Sequence, residues 1–459
     1  MRIVFLGAAK TVTGSMFLLE TDSGNILIDC GFFQGRRQKS KEMNRDLPSK
    51  VFDADAMVLT HAHIDHSGST PTLVKRGYDG PIFTTPATAD LCQHMFRDSA
   101  RIQQHDAEYL NKKHADDPEW EKIEPLYTEK DAIAALKRMV TYHYWRPFEP
   151  FPGVRVVLHD AGHVLGSASV LIEAEGQRVL FSGDIGRRNM PILRDPEVPA
   201  NADYLVMEST YGDREHGAIE STRDELARVI NETAQRGGKV IIPSFALERT
   251  QEVVMGLNQL RQDGKIEDIP IYVDSPLATS LTHVFKSHPE CYDEGALSFL
   301  AEHGDPFGFD TLTYTQSVQD SIALNDAAGP MVIISASGMC EAGRIVHHLR
   351  NNIENPANTI VIVGFQAQHT LGRRLVEGRE QVKIFGVPRD LRARVEVLNG
   401  FSAHAGRTEL IEYAKLAGPN TKKVFLVHGE EKAQESLAEA LSARNMKVEI
   451  PDRCEIATL

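Results

Sequence analysis

The chain has 459 residues, of which 42% are hydrophobic and 25% charged, so it can form two or three globular domains. Its formal charge of −14 excludes a general basic coat for nucleic acid. By itself this charge favours a small-molecule enzyme, although a local basic groove stays compatible with it.

Targeting and redox signals are also informative. No apolar run reaches the roughly 18 residues of a membrane span, and the first residues are typical of a strand, not of a signal peptide. The five cysteines are scattered and form no C-x-x-C pair. We therefore expect a cytoplasmic protein without a disulfide framework and without membrane contact.

Short β-prone runs separated by glycines open the chain and predict a β-meander. They are RIVFLGA, GSMFLLET and NILIDCG, and DADAMVLT is a further β-prone run that stops at the histidine cluster. A short helix, IDHSGSTPTLVKRG, and a strand, GPIFTT, follow. Residues 87–146 predict a charged helical excursion on the surface, after which strands resume with VRVVLHD, ASVLIEA, RVLFSGD and YLVMEST.

From about residue 213 to 398 the pattern changes to alternating helices and strands. Thr222 and Glu225 resemble a capping box at the start of a helix that ends at Gly237 and Gly238. The apolar runs KVIIP, PIYVD, MVIISA, TIVIVGF and QVKIF predict buried strands. Such alternation predicts a parallel sheet with crossover helices. The chain then ends with VFLVHGE, a helix over EKAQESLAEALSA and the strand KVEIP.

Three imidazoles and a carboxylate lie within six residues at the end of a predicted strand: His61, His63, Asp65 and His66. Imidazole and carboxylate groups suit divalent metals such as zinc, iron or manganese. His61 and His63 differ by two positions, so they point the same way in an extended chain. One such histidine is usually a solvated side chain, but four ligand-type residues directly after an apolar strand indicate a metal site.

Further polar residues end other strands beside glycines, where the backbone can approach a ligand closely. His163 follows one strand, and Asp184, which could bridge two ions, follows another. Asp29 ends NILIDCG in the same way. It either caps a turn or orients a ligand histidine, and the sequence leaves both roles open.

The pattern H-x-H-x-D-H with a later strand-end His and Asp resembles the metallo-β-lactamase superfamily. The resemblance implies an α/β fold, an αββα sandwich with a binuclear metal site at one edge. It indicates fold and metal better than substrate, because the superfamily hydrolyses lactams, thioesters, sulfates and phosphodiesters.

Three more strand-end residues narrow the substrate: Glu208, His404 and His428. Together they resemble motifs A, B and C of the β-CASP nucleases, the branch that includes the mRNA 3′-end-processing endonuclease. The predicted domains are 1–212 and 399–459 for the two segments of the metallo-β-lactamase domain, and 213–398 for the inserted β-CASP domain, a parallel sheet flanked by helices. A histidine at motif C goes with RNA substrates in this branch, whereas DNA-repair members usually carry valine.

The resemblance also implies roles for single residues. His61, His63 and His163 would hold one Zn²⁺, Asp65, His66 and His428 a second, and Asp184 would bridge them. Asp65 would also orient or deprotonate the attacking water, which two metals activate. His404 would protonate the leaving oxygen and Glu208 would fix its tautomer, so that the products carry a 5′-phosphate and a 3′-hydroxyl.

Candidate phosphate anchors lie in the inserted segment. Ser244, Ser337 and Gly338 follow predicted strands, where backbone N–H groups can bind a phosphate, but ordinary turns with a serine cap explain them equally well. Arg373 resembles the family's glycine-arginine segment and is the best phosphate-clamp candidate. The basic run Arg36, Arg37, Lys39 and Lys41 is expected to be a solvated loop.

We therefore expect a zinc-dependent ribonuclease, mainly endonucleolytic, that acts on single-stranded RNA and can form a homodimer. No extension for RNA-binding KH domains or of the RNase J type is evident, so a compact bacterial-type enzyme fits best. The alternative is a small-molecule ester or thioester hydrolase, which suits the negative charge but leaves Glu208, His404 and Arg373 without a role. A catalytically inactive RNA-binding subunit is a third reading, but such proteins usually lose ligands.

Overall fold

The structure is a computed structural model that describes the chain except residues 36, 218, 365 and 419 and the side chains of residues 37–39, 220 and 399. The chain divides into two compact units. The first comprises Met1–Arg188, Asp195–Glu215 and His404–Leu459, and the second comprises Asn189–Arg194 and His216–Ala403. The predicted boundaries of the functional domains, 1–212, 213–398 and 399–459, stay a prediction.

The segment up to residue 212 alternates strands with helices. Its strands are β1 (Arg2–Phe5), β2 (Phe17–Thr21), β3 (Gly24–Ile28), β4 (Ala56–Val58), β5 (Ile82–Thr84), β6 (Met139–Thr141), β7 (Phe148–Phe151), β8 (Val154–Asp160), β9 (Ala168–Ala174), β10 (Gln177–Phe181) and β11 (Tyr204–Glu208). Its helices are α1 (Arg37–Arg45), α2 (Ile64–Ser67), α3 (Thr70–Lys75), α4 (Pro86–Lys113) and α5 (Glu129–Leu136), with a 3₁₀ turn at Ser49–Asp53.

The middle of the chain continues this alternation with longer helices. Its helices are α6 (Ile219–Gln235), α7 (Arg249–Gln262), α8 (Pro276–Ser287), α9 (Glu294–His303), α10 (Val318–Asp326), α11 (Arg344–Asn352) and α12 (Leu371–Val376). Its strands are β12 (Lys239–Pro243), β13 (Ile271–Val273), β14 (Leu312–Tyr314), β15 (Met331–Ser335), β16 (Thr359–Ile362), β17 (Gln381–Ile384), β18 (Val387–Asp390) and β19 (Arg394–Val397).

The last segment returns to the first unit. It contains α13 (Arg407–Ala417), β20 (Lys423–Val427), α14 (Glu431–Ser442), β21 (Val448–Glu449) and β22 (Ile456–Thr458). Two further 3₁₀ turns lie at Pro289–Cys291 and Asn399–Phe401.

Two sheets of seven strands form the first unit. Their strand orders are β22-β1-β2-β3-β4-β5-β6 and β21-β20-β11-β10-β9-β8-β7. Phenylalanines join them across the core: the Phe5 and Phe425 rings lie 5.2 Å apart, and Phe17 stacks on Phe181. Helices α13 and α14 pack on the second sheet through apolar side chains such as Leu410. This arrangement confirms the predicted sandwich of two sheets covered by helices.

The second unit contains a six-stranded sheet with the order β14-β13-β15-β12-β16-β19, in which every pairing is parallel. All residues of β12 and β15 are buried, as expected for strands that helices cover on both faces. The predicted parallel sheet flanked by helices is therefore confirmed.

The predicted meander is confirmed, because β1, β2 and β3 pair antiparallel in chain order, and β4 then joins β3 in parallel. Two other local predictions were wrong. Thr222 lies inside α6, which already begins at Ile219, so it is not the N-cap. QVKIF forms β17, which among the described residues pairs with β18 in a small antiparallel hairpin outside the main sheet. An apolar run does not specify which strand it pairs with, and a capping pattern does not fix the residue at which a helix begins.

Smaller differences concern the start of the chain. The segment after the histidine cluster forms two helices, α2 and α3, and not one. Residues 87–146 contain the strand β6 in addition to α4 and α5. The basic run was predicted as a loop, but α1 begins at Arg37; Arg36 itself lies outside the described residues.

None of the helices in the described part of the chain combines the length and the apolar character of a membrane-crossing segment. All five cysteines are free thiols, and all but Cys454 are buried.

Candidate metal centre

The predicted ligands follow neighbouring strands of the first unit. Strands β10, β11 and β20 run parallel, so their carboxyl ends meet at one edge of the sheet. Asp184 follows β10, Glu208 ends β11 and His428 follows β20. The cluster that begins at His61 follows β4 in the other sheet, and His163 follows β8.

Close backbone packing brings these strand ends together. A Cβ atom on Gly186 would lie 1.8 Å from the carbonyl oxygen of Gly162, so only glycine permits the segment after Asp184 to approach the segment that carries His163. Asp29 and His428 have positive φ values of 59° and 46°, which are uncommon for residues other than glycine. Strained residues of this kind cluster at functional sites.

The first ligand group contains three histidines and one carboxylate. Nδ1 of His63 lies 3.2 Å from Nε2 of His61 and 3.2 Å from Nε2 of His163. The Nε2 atoms of His61 and His163 each lie 3.6 Å from Oδ2 of Asp184. Three imidazole nitrogens and one carboxylate oxygen thus converge on one small space.

The second ligand group contains Asp65, His66 and His428. Nε2 of His428 lies 3.3 Å from Nε2 of His66 and 3.4 Å from Oδ2 of Asp65. Oδ1 of Asp184 lies 3.2 Å from Nε2 of His66 and 3.3 Å from Nδ1 of His428. The two oxygens of Asp184 therefore face different ligand groups.

Asp29 is buried beneath both groups. Its Oδ2 lies 2.6 Å from Nδ1 of His66 and accepts a hydrogen bond of 2.8 Å from the Thr60 hydroxyl. The Thr60 hydroxyl in turn lies 3.0 Å from Nδ1 of His61. One carboxylate thus contacts a histidine of each group, directly and through Thr60, which is the contact expected of a residue that orients a ligand.

The protonation of the first ligand group suits metal binding. Burial lowers the pKa of His61 well below its usual value and that of His63 to about 4, so both are neutral near pH 7. Neutral imidazole is the form that binds a metal. Burial alone would raise the pKa of Asp184, but His428 and His66 hold it well below its usual range. Asp184 is therefore ionised.

The donor set fits two divalent cations. In each group the ligand atoms lie within 4.8 Å of one another, and the chemistry of imidazole nitrogens with carboxylate oxygens is that of zinc and related ions. Oδ1 of Asp184 is buried, and although His66 and His428 lie 3.2 and 3.3 Å away, no described residue hydrogen-bonds it with regular geometry. A buried anionic oxygen in that state is expensive unless a cation compensates it.

Glu208 and His404 form a pair beside the first ligand group. Oε1 of Glu208 lies 3.0 Å from Nδ1 of His404 and accepts the backbone N–H of Ile185 at 2.7 Å. Burial would lower the pKa of His404, but the charges of Glu208 and Asp184 outweigh it and raise the pKa to about 9. No described residue hydrogen-bonds Nε2 of this imidazole, whose side chain is 21% exposed.

Hydroxyl partners of the ligands were missed by the sequence reasoning. The Ser15 hydroxyl lies 3.3 Å from Nε2 of His66, and the Thr210 hydroxyl lies 3.2 Å from Nδ1 of His428. Thr60 and Thr210 closely adjoin the predicted site residues, which is a signal that could have found them. Ser15 is remote in sequence and carries no such signal.

The predicted phosphate anchors lie in the second unit. Ser244 is only 1% exposed, and its hydroxyl accepts a hydrogen bond from Thr250. Ser337 is half-buried, and its hydroxyl contacts the backbone of Ala342. Arg373 forms an ion pair of 2.9 Å with Glu377 one helical turn further along α12. Their roles in binding phosphate stay predictions.

Comparisons with known families cover most of the chain. Residues 9–231 match the metallo-beta-lactamase superfamily, and residues 250–375 match the Beta-Casp domain. Residues 389–451 match the Zn-dependent metallo-hydrolase RNA specificity domain.

Individual relatives match over nearly the full length of the chain. A ribonuclease of Thermus thermophilus is 35% identical over 452 residues, which cover 98% of both chains. The transcription termination factor FttA of Methanosarcina mazei is 32% identical over 98% of this chain and 70% of its own length. FttA of Methanocaldococcus jannaschii is 32% identical over 94% of this chain and 67% of its own.

A solved structure has the same fold. A protein of unknown function from Enterococcus faecalis V583 superposes with a TM-score of 0.56 at 13% identity, covering 100% of this chain and 99% of the other.

Proposed function

Since this chain belongs to the β-CASP branch of the metallo-β-lactamase superfamily, we propose that it is a zinc-dependent ribonuclease that cuts single-stranded RNA internally. The observation that carries the proposal is the pair of ligand groups that share Asp184, with the Glu208–His404 pair beside them. The products are a 5′-phosphate and a 3′-hydroxyl.

The substrate class follows from the relatives. The proteins that match along nearly the whole chain carry the names ribonuclease and transcription termination factor, and the family matched by residues 389–451 is described by its RNA specificity. The small-molecule alternative gains no comparable support. It also leaves the buried Glu208–His404 pair without a role.

Two zinc ions fit the ligand groups. His61, His63 and His163 would hold one, Asp65, His66 and His428 the other, with Asp184 shared. When bound, such ions lower the pKa of a water molecule and offset the negative charge that develops at phosphorus. Asp29 and Thr60 keep His61 and His66 in the tautomers that present Nε2 to the centre.

Protein groups handle the protons of the reaction. The Asp65 carboxylate orients the attacking water and takes up its proton. His404 donates the proton on Nε2 to the departing 3′ oxygen, because its Nδ1 is held by Glu208. The P–O3′ bond breaks as the new P–O bond forms, which leaves the phosphate on the 5′ side of the downstream fragment.

The cell-biological expectations complete the proposal. Free thiols throughout the chain support a reducing compartment, and we place the protein in the cytoplasm. A homodimer is compatible with the sequence and stays a prediction.

The direct test is to incubate the purified protein with end-labelled single-stranded RNA and with DNA of the same sequence, with and without a chelator. We expect internal cleavage of RNA that the chelator abolishes and added zinc restores, with new 5′ ends that accept label only after phosphatase treatment. The control is His63→Ala, prepared in parallel, because a contaminating nuclease would be equally active in both preparations. A zinc-loaded protein that leaves RNA intact would contradict the proposal.

A further inference from the structure

Phe245 stands out among the side chains of the second unit. In residues 238–258, all of which the structure describes, every other residue is buried, including the polar ones, whereas Phe245 is 41% exposed. It lies in the loop between β12 and α7. An aromatic ring that reaches solvent from such a segment contributes little to the core, which suggests that the ring has another task.

The loop between β12 and α7 lies at a position where open α/β sheets commonly bind ligands. After β12 the chain continues to β13, in the direction of the β14 edge of the sheet, whereas after β16 it continues to β19 at the opposite edge. Strands β12 and β16 are neighbours. Their carboxyl ends therefore form a point at which the strand order reverses. In open α/β sheets, ligands bind outside the carboxyl ends of the strands at such points.

The Phe245 ring packs directly against the backbone of Gly338. A Cβ atom on Gly338 would lie 2.7, 2.8 and 3.0 Å from Cδ2, Cε2 and Cγ of Phe245. The φ angle of Gly338 is not positive, so the backbone conformation does not demand glycine here. The close approach of the ring demands it. Gly338 thus supports one side of the ring while the remainder stays open to solvent.

Hydrogen bonds fix the loop that carries the ring. The backbone N–H of Ser244 donates to the carbonyl oxygen of Ser335 at 3.0 Å, which ties this loop to the one that contains Gly338. The Thr250 hydroxyl donates to the carbonyl oxygen of Phe245 at 2.7 Å. The exposed ring is therefore held in place before any ligand binds, which lowers the entropy cost of stacking.

We propose that Phe245 is a stacking platform for a nucleobase of the RNA strand, seated on Gly338 at the carboxyl edge of the second sheet. The inference rests on the proposed ribonuclease function, and it adds a binding contact that carries no charge. Aromatic side chains stack on any base because every base has a π-face. The platform thus contributes affinity without base preference.

The test measures binding of a labelled single-stranded RNA by the zinc-loaded protein, in a His404→Ala background that slows cleavage. We expect Phe245→Leu to weaken binding roughly 5- to 150-fold, the range for loss of one stacked base. Phe245→Trp should retain it, because indole also stacks. The slope of affinity against salt should not change, since no phosphate contact is lost. Phe385→Ala is the matched control, a more exposed ring (57%) in the same unit, and should bind normally.

Two further comparisons separate stacking from structural damage. An oligomer of the same length with all bases replaced by abasic ribose keeps its phosphates, and it should bind Phe245→Leu as well as it binds the Phe245-containing protein. Gly338→Ala should weaken RNA binding by displacing the ring, yet have no further effect in a Phe245→Ala background. Such non-additivity is expected of two residues that act through one contact.

The outcomes distinguish this inference from the proposed function. If the parent protein cleaves RNA and the Phe245→Leu variant binds RNA as tightly as the protein with Phe245 intact, the stacking proposal is wrong and the ribonuclease function stands. A reduced salt slope in Phe245→Leu would likewise overturn stacking, since it would mean lost phosphate contacts. A parent protein that neither binds nor cleaves RNA would overturn both.

Discussion

At the residue scale, His404 and His428 have different contacts although both lie in the last segment of the first unit, His404–Leu459. His428 contacts Asp65, His66 and Asp184, whereas His404 is held by Glu208. We predict that His404→Ala keeps its zinc and binds RNA normally, but cleaves RNA about 10²- to 10⁴-fold more slowly, the usual range for loss of a general acid. His428→Ala should instead lose metal, which elemental analysis measures.

A substrate with a better leaving group isolates the acid role. RNA in which sulfur replaces the bridging 3′ oxygen needs no proton on the leaving atom, so it should restore cleavage by His404→Ala but not by His428→Ala. Glu208→Gln should resemble His404→Ala in milder form, because it removes the charge beside Nδ1. If His404→Ala cleaves ordinary RNA at the parent rate, His404 is not the acid.

We expect Asp29 to act as a positioning residue, so that its loss affects both proposed metal ions. Its carboxylate holds His66 directly and His61 through Thr60. We predict that Asp29→Asn weakens zinc affinity about 10- to 100-fold, as measured by competition with a chromophoric chelator. Asp53→Asn, an exposed carboxylate of the same unit, is the control. Unchanged zinc affinity in Asp29→Asn would indicate that Asp29 only caps the end of β3.

At the element scale, α12 carries the predicted phosphate clamp already paired with an acid. Arg373 and Glu377 form an exposed i,i+4 ion pair, which is worth little by itself and can open for a stronger partner. We predict that Arg373→Ala lowers the salt slope of RNA binding by about one counterion, and that Glu377→Ala tightens binding at low salt. Arg389→Ala, another paired arginine of the unit, is the control. Equal slopes for parent and Arg373→Ala would mean that Arg373 contacts no phosphate.

The sheet of the second unit depends on a buried carboxylate after β13. Asp274 accepts hydrogen bonds from Ser321, Arg344 and Thr315, and its Oδ2 lies 2.6 Å from Nε2 of His348. Burial alone would raise the pKa of Asp274, but these partners hold it well below its usual range. The ionised carboxylate therefore joins α10 and α11 to the edge of the sheet.

We predict that Asp274→Asn lowers the free energy of unfolding by about 3 kcal/mol at neutral pH, because Arg344 loses its counter-charge. The pKa of Asp274 is lower in the folded state than in the unfolded state, where it is about 3.9, so the carboxylate stabilises the fold at pH values above about 3.9. This stabilisation is lost as the pH falls toward the pKa of the folded state. The difference in free energy of unfolding between the parent and Asp274→Asn, measured by urea titration, should therefore become smaller below about pH 4. A difference in free energy of unfolding that is independent of pH would show that the packing and hydrogen bonds of this side chain matter, and not its charge.

At the scale of the whole molecule, the donor set predicts two zinc ions per chain. Seven ligands exceed what one tetrahedral ion can use, and Asp184 faces both groups. Two ions about 3.5–4 Å apart are usual in such hydrolytic centres. Elemental analysis after reconstitution should give two zinc ions for the parent and fewer for His428→Ala. At most one tightly bound ion in the parent would contradict the binuclear site.

The net charge of −14 is compatible with an RNA substrate. Part of the acidity is buried in the candidate metal centre and its surroundings, in Asp29, Asp184 and Glu208, where it does not repel an RNA strand from the surface. Zinc would offset it further. An uncharged contact such as Phe245 also suits a protein that cannot rely on a basic coat for affinity.

The sequence by itself determined much of the fold and the candidate site. Apolar runs ending in His, Asp or Glu marked the strands and their functional ends, because a strand's burial and the polarity of the residue after it are local properties. The spacing of His61, His63, Asp65 and His66 needed no partner to be recognised. The same holds for the alternation that predicted the parallel sheet.

Only the tertiary structure decided how distant segments meet. It placed QVKIF in a hairpin outside the main sheet, gave His66 a partner in Ser15 and set Asp29 beneath histidines of both ligand groups. It also paired Arg373 with Glu377 and left Phe245 exposed on Gly338. The contacts of Ser15, Asp29 and Phe245 join residues far apart in the chain, and such long-range contacts leave no periodicity in the local sequence. The hairpin and the Arg373–Glu377 pair are local, but an apolar run or a basic residue does not by itself specify its partner.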